Sequence, residues 1–155
     1  MKILALDPAT KFGWAFLDDT GLMISGVWSF KTTRHSGGGV RFLQFRKQFL
    51  EALDQCEPDL VAYEEVRRHM GVDAAHIYGG LIAVVSSICE ERNIPYKGFP
   101  VGTIKKHATG KGNAGKDLMI AAALKKWPGV SIQDDNEADA RHIADLARHQ
   151  LGVEQ

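Results

Sequence analysis

The chain opens on an apolar run, Ile3 to Leu6, that ends in a carboxylate, Asp7. A run this apolar predicts a strand covered on both faces. Pro8 pushes Asp7 toward extended geometry, a turn follows, and Gly13–Leu17 returns as a second strand. Leu22–Phe30 reads as a third, joined through Asp18-Asp19-Thr20-Gly21 in a meander. Thr32 to Gly39 is a polar, Gly-rich loop, too short to link domains. From Val40 to Gln55 the period changes to that of a helix, with Phe42, Phe45, Phe49 and Leu53 three and four residues apart. Pro58–Glu65 predicts a buried strand ending in two acids. Asp73 starts a helix to about Arg92 that is apolar around most of its girth, from Ala74, Ile77 and Tyr78 through Leu81, Ile82, Val84, Val85 and Ile88. Such a helix is covered on two sides within the domain or partly by a partner subunit. Gly79-Gly80 in its middle predicts close approach of another backbone. Ile94–Phe99 reads as a fifth strand and Val101–Thr109 as a short basic helix or turn. After the Gly-rich loop Gly110–Gly115, Lys116–Trp127 is helical with Leu118, Ala121 and Leu124 inward, and Pro128-Gly129 ends it. Asp135 or Asn136 caps a last helix to about Leu151. This order predicts an α/β fold, a mixed sheet with helices on both faces, as a single domain over residues 1–155 without internal repeats.

Composition bounds the class. A length of 155 residues, 45% hydrophobic and 25% charged, suits one ordinary soluble domain with its own core. No signal peptide and no apolar run long enough to span a bilayer are expected. Cys56 and Cys89 lack CxxC spacing and read as buried thiols in a reducing compartment, so the expected location is cytoplasmic. The formal net charge of zero does not point to nucleic acid. Its distribution does more. Thr20 to Leu50 holds no acid but Lys31, Arg34, Arg41, Arg46 and Lys47. Ile104 to Trp127 sets Asp117 alone against Lys105, Lys106, Lys111, Lys116, Lys125 and Lys126. Acids gather at Asp54–Glu65, Glu90-Glu91 and Asp134–Asp139. A neutral total thus holds basic surface beside an acidic site.

In sheets built from parallel units, sites form at the carboxyl ends of strands. Asp7 and Glu64 both end strands, and parallel neighbours would bring them to one rim. Alternation sends Glu64 and Glu65 to opposite faces, and the pattern alone leaves open which one meets Asp7. In the last helix Asp139, Ile143 and Leu146 share a stripe that would pack inward, where a charge demands a partner. Asp135, Asn136 and His142 flank that face. Asp145 lies well round the helix and reads as solvated, while Asp134 and Glu137 read as acids favourable to the helix start. Asp7 alone reads equally as a strand-ending cap. Three converging carboxylates without cysteine predict magnesium or manganese, and two such ions about 3.5–4 Å apart would serve an in-line phosphoryl displacement. The flanking lysines suit a polyanionic substrate. Lys116 opens a helix after a Gly-rich loop whose N–H groups would hold a phosphate. The loop lacks Walker A spacing, so it is not an ATP loop.

At this point the sequence resembles the RuvC-like Holliday junction resolvases of the ribonuclease H-like superfamily. ILALDPATKFGWAFL is similar to that family's first strand and turn, LVAYEEV to its second acidic strand, TIKKHATGKGNAGKDLM to its basic segment and DDNEADARHIADLA to its terminal acidic helix. The resemblance implies a five-stranded mixed sheet, a homodimer, and magnesium- or manganese-dependent nicking of two strands at four-way DNA junctions. It selects Glu64 over Glu65 and Asp139 as the final aspartate, and places Lys105 and Lys116 on substrate-contacting lysines. Three positions depart. Ala9 stands where a glycine follows Asp-Pro, Asn136 where a fourth acid falls, and Arg67 near a junction-stacking aromatic. Asp135 or His142 would compensate for Asn136, and Arg67 would stack through its planar guanidinium. These departures suggest a divergent phage or mobile-element type.

The expectation is therefore an endonuclease for Holliday junctions or other branched DNA. Asp7, Glu64 and Asp139 hold two ions, with Asn136 or Asp135 completing the shell. Lys116 and Lys105 steady the strand within a basic segment that includes Lys106 and Lys111, while Arg67, Arg68 and the Arg34–Arg46 region grip duplex arms. The alternatives are a ribonuclease H-like enzyme for RNA–DNA hybrids and a junction-binding module without catalysis, the latter favoured by Asn136. A sugar-kinase or actin-like ATPase needs two copies of the fold, and the chain has room for one.

Overall fold

The sheet is built outward from its most apolar strand. The computed structural model describes residues 1–9 and 11–152. β1 (Ile3–Asp7) is buried along its whole length and lies at the centre of a five-stranded sheet with strand order β3-β2-β1-β4-β5. β2 (Lys11–Leu17) and β3 (Met23–Ser29) form the antiparallel meander. Asp18 closes the turn between them by accepting the backbone N–H groups of Thr20 and Leu22. β4 (Leu60–Glu65) runs parallel to β1 with Leu6 opposite Tyr63. β5 (Tyr96–Pro100) runs parallel to β4. The sheet is thus mixed, as the meander followed by strand–helix–strand order predicts.

Alternation divides the core. Leu4, Leu6 and Val61 face α1 (Val40–Cys56) and α2 (Val72–Glu91), where Phe12, Phe45 and Phe49 fill the space. Ile3, Ala5 and Ala62 face the opposite layer of α3 (Val101–Thr109), α4 (Lys116–Lys126) and α5 (Asp135–Leu151). Because Ala62 belongs to the α5 layer and Val61 to the other, period-two alternation directs Glu64 toward α5 and Glu65 away from it. Packing partners decide what the bare pattern left open.

Several local expectations are corrected. The cap of α5 is Asp134, whose carboxylate accepts the Glu137 N–H, rather than Asp135 or Asn136. α4 turns Met119 and Ala123 inward and leaves Leu118 and Leu124 about half exposed, because its stripe faces α5 one residue round from the predicted one. A methyl at Gly80 would strike the Phe42 ring, so its close neighbour is a side chain of α1 and not a backbone; Gly79 faces open space. Finally, α2 is long and apolar enough, by length and composition alone, to cross a membrane, contrary to the expected absence of any such run. Here it packs through Leu81, Val85, Ile88 and Cys89 and leaves Val72, Ala74 and Ala83 exposed. It is covered on one side only.

Candidate active site

Parallel pairing puts the carboxyl ends of β1 and β4 side by side, and α5 crosses above them. The crossing is close because position 13 is glycine. A side chain there would overlap the backbone carbonyl of Asn136 in the first turn of α5. A buried network fixes the same turn sideways onto β3. Arg141 donates from Nε to the Ser25 hydroxyl at 2.7 Å and from a terminal nitrogen to the Met23 carbonyl at 3.3 Å. Ser25 donates to Glu137 at 2.7 Å, and the other Glu137 oxygen accepts the Gln133 N–H at 2.7 Å. Arg141 also lies over the Trp127 ring. Glu137, only 3% exposed, is therefore a structural anchor of α5 as well as the acid at the helix start that the sequence suggests.

These contacts deliver Asp139 to Asp7. Asp7 is 3% exposed, and burial first, then the charges of Glu64, Asp139 and Asp135, hold its pKa well above the ordinary carboxylate range. Asp139 is pushed up to about 7, by burial first and then by Glu64 and Asp135, against the opposing pull of Lys105 and Lys116. Its Oδ1 is buried without a hydrogen-bond partner. Four carboxylates so placed destabilise one another unless protonated or bridged by positive charge.

The remaining candidates surround this group unevenly. Lys116 approaches Asp135 at 3.5 Å with its side chain 81% exposed. Lys105 acts on Asp139 from α3, while Lys106 and Lys111 are exposed beyond it. Asn136 is half-buried. Arg67 pairs with Glu65 at 3.5 Å and, like Arg68, is solvent-facing. His142 does not join the carboxylates. It is buried against α4, with Nε2 at 3.0 Å from the Met119 carbonyl and the ring against Trp127, and burial holds its pKa down. Asp145 is not simply solvated either. It pairs with Lys126 and with His107 at 2.5 Å, and although burial works to raise its pKa, those two partners bring the net below the ordinary value. Met70 and Val72, two exposed apolar side chains between β4 and the first turn of α2, carry no signal in the pattern. Their exposure becomes visible only once the chain is folded.

The donors suit a hard divalent cation. They are carboxylates and one amide, without thiolate, and one buried oxygen lacks a partner. Among the described residues, however, no three His, Cys, Asp or Glu side chains close into a finished metal shell. The group is an open rim. Surface hollows form elsewhere, between β3 and α1 and between α3 and α4, and the carboxylates line neither.

Comparison with known proteins finds relatives of one name along most of the chain. Over 148 residues, covering 93% of this chain and 88% of the relative, it is 26% identical to the crossover junction endodeoxyribonuclease RuvC of Ruegeria pomeroyi. It is 28% identical over 150 residues to the protein of the same name from Rickettsia akari, covering 93% and 94%. The Thermus thermophilus RuvC in complex with Holliday junction substrate superposes with a TM-score of 0.76 at 21% identity, over 93% of this chain and 90% of that one. The chain is RuvC-like in sequence and ribonuclease H-like in fold. No family model matches it.

Proposed function

We propose that this protein is a divalent-metal-dependent endodeoxyribonuclease that resolves Holliday junctions by phosphodiester hydrolysis. The observation that carries the reading is the convergence of Asp7, Glu64 and Asp139, from β1, β4 and α5, on one open rim with an unpartnered buried oxygen. An open rim admits a long polyanion, whereas an enclosed pocket selects a small molecule.

The roles follow from position. Asp7, Glu64 and Asp139 hold two ions, with Asp135 and Asn136 completing their surroundings. Bound magnesium or manganese would supply Lewis acidity and positive charge at the scissile phosphate. Lys116 and Lys105 steady the attacked strand and offset the charge of the carboxylates. Lys106, Lys111, Arg67 and Arg68 hold the adjoining duplex through its phosphates. A four-way junction offers two equivalent strands, and a homodimer would present one rim to each. The exposed apolar side of α2 supports that assembly. Both named relatives come from bacteria, and the bacterial cytoplasm is the matching location.

The decisive assay offers a synthetic four-way junction, a fork and an RNA–DNA hybrid, with magnesium and then manganese. The junction is expected to be cut by the wild type. Asp7→Asn should bind it with unchanged affinity and cut it at least about a hundredfold more slowly, as loss of a metal-holding carboxylate predicts. Preferential cutting of the hybrid would move the assignment to ribonuclease H-like activity, and no cutting under either metal would overturn it.

A further inference from the structure

The end of β4 poses a backbone problem. Pairing with β1 stops at Leu6 opposite Tyr63. On the other side the pairing with β5 ends at Glu65 opposite Pro100. Glu64 therefore sits past the last pair with β1 and one short of the last pair with β5, although its carboxylate must be aimed into the rim. Strand ends with few partners fray.

One side chain repairs this end. Tyr78, in the second turn of α2, places its hydroxyl between the two free backbone groups. The oxygen accepts the Val66 N–H at 3.0 Å, and the O–H donates to the Glu64 carbonyl at 2.9 Å. A single phenol thus does for Glu64–Val66 what a neighbouring strand would do. The bond to the Glu64 carbonyl requires the neutral phenol, and burial keeps its pKa above the ordinary value. The His69 ring lies against Tyr78, with centroids 4.8 Å apart, and closes the loop over it. The bridge holds the backbone on either side of Glu65, so it fixes the direction in which Glu64 leaves the strand.

We propose that Tyr78 is a positioning residue for Glu64. Its hydroxyl makes the carboxylate group depend on α2, a helix that contributes no carboxylate to it. The assignment rests on the proposed role of Glu64 as a metal-holding group, whereas the backbone bridge does not. The test is Tyr78→Phe in the full chain, which keeps the ring and removes only the bridge. Manganese affinity, measured by calorimetry without DNA, is expected to fall about tenfold, the scale seen when a group orienting a ligand is lost. Junction binding in calcium should stay within about twofold. Turnover should fall about tenfold at unchanged KM, the pattern of a lost positioning contact.

Hydrogen exchange supplies a readout in the unaltered protein. The Val66 amide should exchange at least about tenfold more slowly than those of Arg67 and Arg68, and the difference should vanish in Tyr78→Phe. An unprotected Val66 amide in the wild type would overturn the proposal without any variant. Unchanged manganese affinity and turnover in Tyr78→Phe, with only a lower melting temperature, would also overturn it and leave a structural role. If the wild type cuts no junction, the functional reading fails, while the manganese affinities of the two chains still decide the role of Tyr78.

Discussion

Gly13 shows how one missing side chain places several that are present. Its strand is ordinary, and nothing in the local pattern asks for glycine. The need comes from Asn136, 123 positions later, whose carbonyl occupies the space a Cβ would take. Gly13→Ala must lift the first turn of α5 from β2. Overpacking of backbone against backbone costs about 2–3 kcal/mol, which a urea titration would register, and manganese affinity should fall with it because Asp135 and Asp139 move. The same distance in sequence explains what was and was not readable residue by residue. Asp7 and Asp139 stood out because each charge ended or joined an apolar stripe, whereas Glu64 was separated from Glu65 only by the family resemblance. Glu137 did not stand out, because its hydrogen-bond partner Ser25 lies on β3, far away in the sequence. Asp145 was misread for the same reason, its partner His107 belonging to α3.

Among the elements, α5 carries the most consequences. Its inward stripe was legible, and Ile143 and Leu146 are buried as the period implies. Its seating was not, since that depends on the arginine–serine–glutamate network clamping it to β3. Arg141→Met removes the only cation of that network and leaves Glu137 buried without a countercharge. Breaking one side of a buried pair costs about 3–5 kcal/mol. The double change Arg141→Met with Glu137→Gln should recover much of that loss, and paired denaturation curves of the single and double variants measure the recovery. α2 was equally legible as an apolar helix, but its fate was not, because periodicity cannot say whether a second layer covers it. With one side exposed, it is expected to pair with a second copy. Light scattering at micromolar concentration should give twice the chain mass, and replacing the exposed Val72 and Ala83 with Glu should return the monomer.

At the scale of the whole molecule, the fold followed from element order, and the carboxylate rim followed from the fold. The rim carries a definite cost. Asp7 and Asp139 have folded-state pKa values raised above their unfolded ones. Their contribution to stability is therefore present in full below the ordinary carboxylate pKa and is lost as pH rises, for Asp139 through about 7. In EDTA the melting temperature should be several degrees higher at pH 5.5 than at pH 8. Manganese should raise it far more at pH 8, where the carboxylates are free to accept it, and Asp139→Asn should flatten both effects. Calorimetric scans at the two pH values decide this. The placement of α5 has a consequence for synthesis as well. The strands that carry Asp7 and Glu64 leave the ribosome early, but the helix that must lie across Gly13 is made after every strand of the sheet. A growing polypeptide therefore holds two of its acids in place with nothing yet to complete them, and the proposed cutting of DNA becomes possible only as translation reaches α5.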